Sequence, residues 1–281
     1  MLEVMLAMGI FAIGFVAVAA IFPVAVLLQK KTADDAISQT VARNATALLE
    51  VRGLSQATLI AQLTAAYGPN WDTDQKVYGL PDPILDSWAL ADRSYPTAAY
   101  TNPGERQFYW VPLVLDSDPT ATPGHTWRVY VFILRRGDNA TYNRFLNGAT
   151  TANWVNPDDG FVDVGAAGPD IGDSWTVPGV RYADVTVSTT DSRRLDFDSP
   201  FSNDLNSDGL GDQVAVGDQV LDNNGNIYKV FAADASGFSV DGYLYPNPNA
   251  ITRIWFSPPS SAGRPSPTKR IILIQKQVVT P

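Results

Sequence analysis

The chain has 281 residues, 45% of them hydrophobic and 17% charged, with a formal net charge of −9. This is globular composition, with length for one large domain or two small ones, and the acidity, without a basic patch interleaved with aromatics, argues against nucleic acid. Cysteine is absent, which excludes disulfides, thiolate nucleophiles and Cys-ligated metals and leaves the fold to rest on its core, its sheets or bound ions.

The first predicted element is MLEVMLAMGIFAIGFVAVAAIFPVAVLLQKK. Val4 to Leu28 carries no charged or polar side chain. At ~1.5 Å per residue this run crosses a ~30 Å hydrocarbon layer. A secretory signal peptide fits poorly, because such segments open with basic residues and have a shorter apolar stretch. A plain membrane anchor fits the length, with Lys30 and Lys31 at the far end. Those lysines lie on the side of the main domain, and if that domain is exported they oppose the positive-inside tendency. A plain anchor also gives no reason for Glu3, a lone carboxylate at the head of the run whose burial costs on the order of several kcal/mol.

The stretch Leu2-Glu3-Val4-Met5-Leu6-Ala7-Met8-Gly9-Ile10 resembles the N-terminus of type IV pilins and type II secretion pseudopilins. The resemblance covers roughly the first fifty residues. In that family a basic leader ends in Gly, a methylated residue follows, and a Glu then opens a long apolar helix. The resemblance implies that the Glu3 carboxylate pairs with the N-terminal amine of a neighbouring subunit during filament assembly. Two buried opposite charges neutralise each other only in one axial register, so the desolvation cost acts as a ruler. The sequence departs from the family in having fewer residues before the Glu. Met1 is therefore expected to be an internal methionine, or the sequence to begin just inside the mature N-terminus. Gly14 and Pro23 are the helix breakers of the run. Pilin relatives lose helicity between a glycine and a proline so placed, which implies an extended or kinked stretch from about Gly14 to Pro23.

After Leu28 the chain turns polar through Gln29-Lys30-Lys31-Thr32-Ala33-Asp34-Asp35. Ala36, Ile37, Val41, Ala42, Ala45, Leu48, Leu49 and Val51 then recur at helical spacing, giving a stripe for the head domain. Gly53 ends or bends this helix, and Leu54 to Tyr67 reads as a further helix stopped by Gly68-Pro69-Asn70. Residues 70–106 are proline-rich with little periodicity. Two strands follow, Gln107–Leu115 and Trp127–Leu134, with Pro112 suited to an edge or a bulge. Arg270–Val279 supplies a third strand, and the three are expected to form the antiparallel sheet that packs on the helix.

Between these strands lies an insertion over 140–256, with short strand candidates at Tyr182–Ser188, Gln219–Leu221, Asn226–Ala232, Gly237–Tyr243 and Ile251–Phe256. Turn signals at Asn224-Gly225 and Ser236-Gly237 point to a small barrel or meander, SH3-like in size. Ser257–Thr268 is a Pro/Ser linker. The fold class is α+β, a long hydrophobic helix on an antiparallel sheet with a β-rich insertion. The expected divisions are 1–53 (1–28 the membrane or filament core), 54–139, 140–256 and 257–281.

The sharpest chemical motif is DLNSDGLGD. Asp204, Asn206, Asp208 and Asp212, with the Leu210 carbonyl, resemble calcium loops of the EF-hand, dockerin and thrombospondin-repeat type. Alternate side chains point inward around the ion, and Gly209 permits the turn. Ala215 stands where the usual last acid would be, so a further ligand has to come from elsewhere, with Asp196 and Asp198 nearby in sequence. A solvated acidic turn is the alternative. His125 is the only histidine and lies in a Pro-Gly turn. The acids Asp158, Asp159, Asp163, Asp170 and Asp173 have no catalytic spacing. Asn139-Ala140-Thr141 is a sequon of frequent chance occurrence. Trp71, Trp88 and Trp154 read as packing residues of long loops.

These observations lead to the expectation of a structural subunit of a type IV pilus-like filament, not an enzyme. Its partners would be other copies of itself, the inner membrane before assembly, a prepilin peptidase and an assembly motor. Its location would be the inner membrane and then the extracellular filament. A minor pilin or secretion pseudopilin is the first alternative, and a membrane-anchored envelope enzyme or binding protein the second.

Overall fold

The structure, a computed structural model, describes residues 2–52, 56–68, 76–80, 92–95, 108–116, 127–135, 142–143, 154–156, 160–162, 174–175, 179–199, 201, 203, 211–244, 250–257 and 271–279. Two helices come first, α1 (Leu2–Arg52) and α2 (Gln56–Tyr67). The strands are β1 (Tyr78–Gly79), β2 (Ser94–Tyr95), β3 (Phe108–Asp116), β4 (Trp127–Arg135), β5 (Tyr142–Asn143), β6 (Trp154–Asn156), β7 (Gly160–Val162), β8 (Ser174–Trp175), β9 (Val180–Val187), β10 (Arg194–Phe197), β11 (Gln219–Asp222), β12 (Ile227–Ala233), β13 (Gly237–Val240), β14 (Arg253–Phe256) and β15 (Ile271–Val279). The chain divides into two compact units, Met1–Thr40 and Val41–Pro281.

The first unit is the apolar part of α1. The extended stretch expected between Gly14 and Pro23 is not found, since every residue from Leu2 to Arg52 is helical. In a single chain no neighbouring helix offers partners to released backbone groups, so the helix keeps its own bonds and Pro23 forfeits only the one its missing N–H would make. Residues 53–55, Gly53 among them, lie outside the described residues. α2 stops where Gly68 takes a left-handed φ of 88° and its N–H closes on the Thr64 carbonyl at 3.0 Å. Glycine reaches that conformation without a Cβ penalty, the usual reason it ends helices.

In the second unit the three long predicted strands form one antiparallel sheet, in the order β1-β3-β4-β15, with β2 also paired to β3. Every residue of β3 is buried. On one face lie Leu113, Leu115 and Tyr130, and on the other Trp110, Val114, Val129, Val131 and Ile133, as the β3–β4 register requires. In the same unit Val41, Ala42, Ala45 and Leu49 of α1 and Leu59 and Leu63 of α2 are buried at the helical spacing read from the sequence. Pro112 is tolerated for a local reason. The Trp110 N–H points toward the β2 side and bonds the Arg93 carbonyl at 3.0 Å, so position 112 faces the same way. There it falls between β2, which pairs at Tyr109 and Phe108, and β1, which pairs at Val114 and Leu113. Its missing N–H breaks no ladder bond.

The insertion contains a closed barrel. Six strands run β10-β13-β12-β11-β14-β9, and β9 pairs again with β10, so the ring has no free edge. β6 and β7 extend from β9. Period-2 alternation places Ala183, Val185, Leu195, Val220, Tyr228, Val230, Phe238, Val240, Ile254 and Phe256 inside. The barrel rests on the sheet through its outer face. Trp255 Nε1 donates to the Val77 carbonyl at 3.2 Å, and Tyr182 meets the Trp255 ring edge-on at 5.1 Å. The predicted Asn-Gly turn is the second contact. Gly225 adopts φ 82°, and a Cβ there would run into the Tyr130 hydroxyl.

Candidate assembly helix and the polar clusters of the barrel

Glu3 lies in the first turn of α1, where a carboxylate opposes the partial positive charge of exposed N–H groups. It is exposed, as are the large apolar side chains that follow it. Between Val4 and Leu28 these are 47–75% exposed. Burying a side chain of this kind is worth about 1.5–3 kcal/mol, so the segment withholds on the order of tens of kcal/mol. The helix is long and apolar enough to cross a membrane, with none of its most apolar window buried inside the chain. A Cβ added at Gly9 or Gly14 meets nothing within 4 Å. The chain's own packing therefore does not require glycine there, although each costs a helix about 0.5–1 kcal/mol relative to alanine.

The polarity change after Leu28 is local in its bonding. Thr32 Oγ1 donates to the Leu28 carbonyl at 2.9 Å and Ser38 Oγ to the Asp35 carbonyl at 2.8 Å. These side chains are satisfied by the helix they belong to. Glu3 thus heads an apolar surface that runs to Leu28 and is left exposed, and the buried surface of α1 begins at Ser38 and Val41.

Of the calcium ligands read from the sequence, Asp204, Asn206, Asp208 and Leu210 lie outside the described residues. Asp212 is described and buried. Asn203, just before this segment, is bonded to the residues that follow it. The Asn203 carbonyl accepts from the N–H groups of Asp212 at 2.8 Å and Gln213 at 3.1 Å. Its Oδ1 accepts from the Val214 N–H at 2.7 Å, and its Nδ2 donates to the Val214 and Asp234 carbonyls. Asp196, near this segment in sequence, accepts a 2.6 Å bond from Arg194 Nε on β10 through Oδ1. Among the described residues no group of three or more His, Cys, Asp or Glu is placed to hold a metal. His125, Asp158, Asp159, Asp163, Asp170, Asp173, Asn139, Trp71 and Trp88 also lie outside the described residues. Trp154 is in strand β6 rather than in a loop.

Three polar clusters in the barrel were not anticipated. Arg194 makes a bidentate pair with Asp234 at 2.6 and 2.9 Å and also reaches Ser236. Hydrogen bonding to Arg194 holds the Asp234 carboxyl well below the usual carboxylate range. Asp222 closes the Asn-Gly turn, with Oδ1 accepting from the Asn224 and Asn226 N–H groups and Oδ2 from Asn226 Nδ2 and the Tyr228 hydroxyl. Burial nevertheless raises its pKa, the donors opposing that shift. Arg181, inside the barrel at one end, is fully buried, and burial pulls its guanidinium down to about 9. The D-N-N-G-N run held the signal for the second cluster. The other two depend on pairing across 32–40 residues of sequence, which no local pattern shows.

Compared with family models, with curated proteins and with solved structures, the chain matches none.

Proposed function

We propose that this chain is a structural subunit of a type IV pilus-like filament, held in the inner membrane as a precursor and polymerised through the apolar half of α1. The observation that carries the reading is the contrast along one helix. The stripe at Val41, Ala42, Ala45 and Leu49 is buried by the chain, whereas Val4–Leu28 is left bare with a single carboxylate at its head. A lipid bilayer would satisfy the apolar side chains and leave Glu3 unexplained. A bundle of identical helices would satisfy both, because Glu3 then meets a neighbour's amine in a dry setting where a paired charge is worth holding. The glycines with open space above Cα allow such neighbours to approach closely.

The experiment is electron microscopy of material sheared from the surface of cells that express the chain, with its main subunit identified by mass spectrometry. Filaments built of this chain, cross-linked between copies through cysteines placed at Ile10 or Ile21, support the reading. A monomer in lipid without such cross-links removes it and favours an anchored envelope protein. A calcium ion at Asp204–Asp212 belongs to the proposal on sequence spacing alone. Chelator should lower the melting temperature of the second unit, and an unchanged melt discards the ion.

A further inference from the structure

The turn between β11 and β12 carries a reactive pair of groups. A backbone nitrogen that follows an asparagine can attack that asparagine's side-chain carbonyl carbon, and glycine, without a Cβ, leaves its nitrogen least hindered. Asn224-Gly225 offers that pair. The group that would leave is not held. Asn224 Nδ2 is buried with no hydrogen-bond partner among the described residues. Asn224 Oδ1 accepts a long bond, 3.3 Å, from Asn223 Nδ2.

The nucleophile, in contrast, is held. The Gly225 N–H donates to the Asp222 carbonyl at 3.1 Å. The N–H groups on either side, of Asn224 and Asn226, both donate to Asp222 Oδ1, at 2.9 and 2.7 Å. Three successive amides are gripped by one buried residue. Attack requires the Gly225 nitrogen to lose its proton and swing toward Asn224 Cγ, and those bonds oppose both. The start of the turn is anchored separately. Asn223 Oδ1 accepts from the Thr252 and Arg253 N–H groups, and Asn223 Nδ2 donates to the Ala250 carbonyl. What has to open is therefore 224–226 alone.

We propose that Asn224-Gly225 is a self-modification site gated by Asp222, which converts to aspartate and isoaspartate when 224–226 opens and then resists closing again. In the step, a bond forms between Gly225 N and Asn224 Cγ and the Cγ–Nδ2 bond breaks. Nδ2 leaves as ammonia, taking the proton from Gly225 N. Water, the one reactant from outside, then opens the cyclic imide at either carbonyl. Opening at Cγ leaves an ordinary aspartate. Opening at the backbone carbonyl routes the main chain through the former side chain and lengthens it by a methylene. Both products oppose closure. A carboxylate oxygen takes the enclosed place of Nδ2, in the same turn as the Asp222 carboxylate. The added methylene displaces Gly225, at which a single extra carbon already runs into the Tyr130 hydroxyl. The modification therefore loosens one of the contacts that seat the barrel on the sheet. The proposal is independent of the filament reading, because it concerns the second unit alone.

The test follows the full chain in detergent micelles at neutral pH, folded or unfolded in urea. After tryptic digestion, peptide 195–229 carries this site apart from the other Asn-Gly pair, Asn147-Gly148. Conversion is read from the mass gained when an amide becomes an acid, and isoaspartate from enzymatic methylation. The folded chain should convert at least about tenfold more slowly than the unfolded one, a ratio that reads the cost of opening the turn. Asp222→Ala releases amides on both sides of the bond and should bring the folded rate most of the way to the unfolded one. Leu195→Ala, in the barrel core on β10, weakens the fold without touching the bonds of the turn and should accelerate conversion far less. Asn224→Asp, which is one of the products, should melt several degrees below wild type. Equal rates in the folded and unfolded wild-type chain would overturn the gate without any variant. Equal acceleration by Asp222→Ala and Leu195→Ala would assign the reaction to global unfolding and overturn it too. An unchanged melt of Asn224→Asp would show that the converted turn closes normally.

Discussion

Val4–Leu28 and the barrel strands are built from similar side chains, yet the helix leaves them 47–75% exposed while Val220, Phe238, Val240 and Ile254 in the barrel are fully enclosed. The barrel returns its last strand to its first through the β9–β10 pairing, so its apolar residues and its backbone groups are satisfied by the same chain. A lone helix satisfies its backbone and leaves its side chains to others. One region is complete as a monomer. The other leaves its apolar side chains exposed. Polar groups follow the same division, because Asp222 has three donors from its own turn and a fourth from Tyr228 on β12, whereas Glu3 sits exposed in the first turn of α1.

The sharpest way to break this contrast is at Glu3. Glu3→Leu should leave the chain in the membrane and cut sheared filament yield by about tenfold or more, equivalent to at least ~1.4 kcal/mol per subunit contact. Glu3→Gln, which keeps the shape and loses the charge, should resemble it. Normal yield from either, counted on micrographs, would mean that the carboxylate does not govern assembly. Gly225→Ala acts on the barrel side. The left-handed φ of 82° and the Tyr130 hydroxyl both oppose a Cβ. The loss should be about 3 kcal/mol, a fall of about 6–12 °C in melting temperature, with membrane insertion unchanged. Loss of insertion in this variant would show that the two regions are not separable. Asp222→Asn replaces an acceptor with a donor facing Asn226 Nδ2 and the Tyr228 hydroxyl. It should cost about 1–3 kcal/mol in a denaturant melt.

The smallest expected effect is a pH dependence. The Asp234 carboxyl is held low by Arg194, so the stability it confers is present above the ordinary carboxylate pKa and is lost as pH falls through its depressed folded value. Both partners are partly exposed, which limits the pair to about 0.5–1 kcal/mol. Asp222 works in the opposite sense. Its pKa is raised by burial, so protonation favours the folded state as pH drops through that raised value. Asp234→Asn should therefore lower the neutral plateau of the stability curve by about 0.5–1 kcal/mol and flatten its acid limb, the two proteins converging at low pH. A steeper acid limb in this variant would contradict the pairing.

Much of the architecture was legible because its signals were local. The apolar run, the helical stripe at 41–49, the three long strands and the Asn-Gly turn each declare themselves within ten or twenty residues. β10 did not. Its four residues, Arg194-Leu195-Asp196-Phe197, offer two charges and too short an alternation, and were read only as acids near a loop. That strand is nevertheless the one that closes the ring, through pairing with residues about ten before and forty after it. The buried Arg181 was equally silent, since an arginine in a β-rich stretch ordinarily marks a solvent face. Pro112 was the opposite case. The sequence pointed to an edge, and a gap between two short partner strands supplied one inside the sheet.

Asn203 ties the chain on either side of 204–210 by bonds to Asp212, Gln213 and Val214. With Asn203 and residues 212–214 pinned together in this way, added length between them carries little further entropy cost. A foreign epitope grafted between Asn203 and Gly211 should leave the scaffold's melting in the presence of chelator unchanged, and in a polymer it would be displayed once per copy.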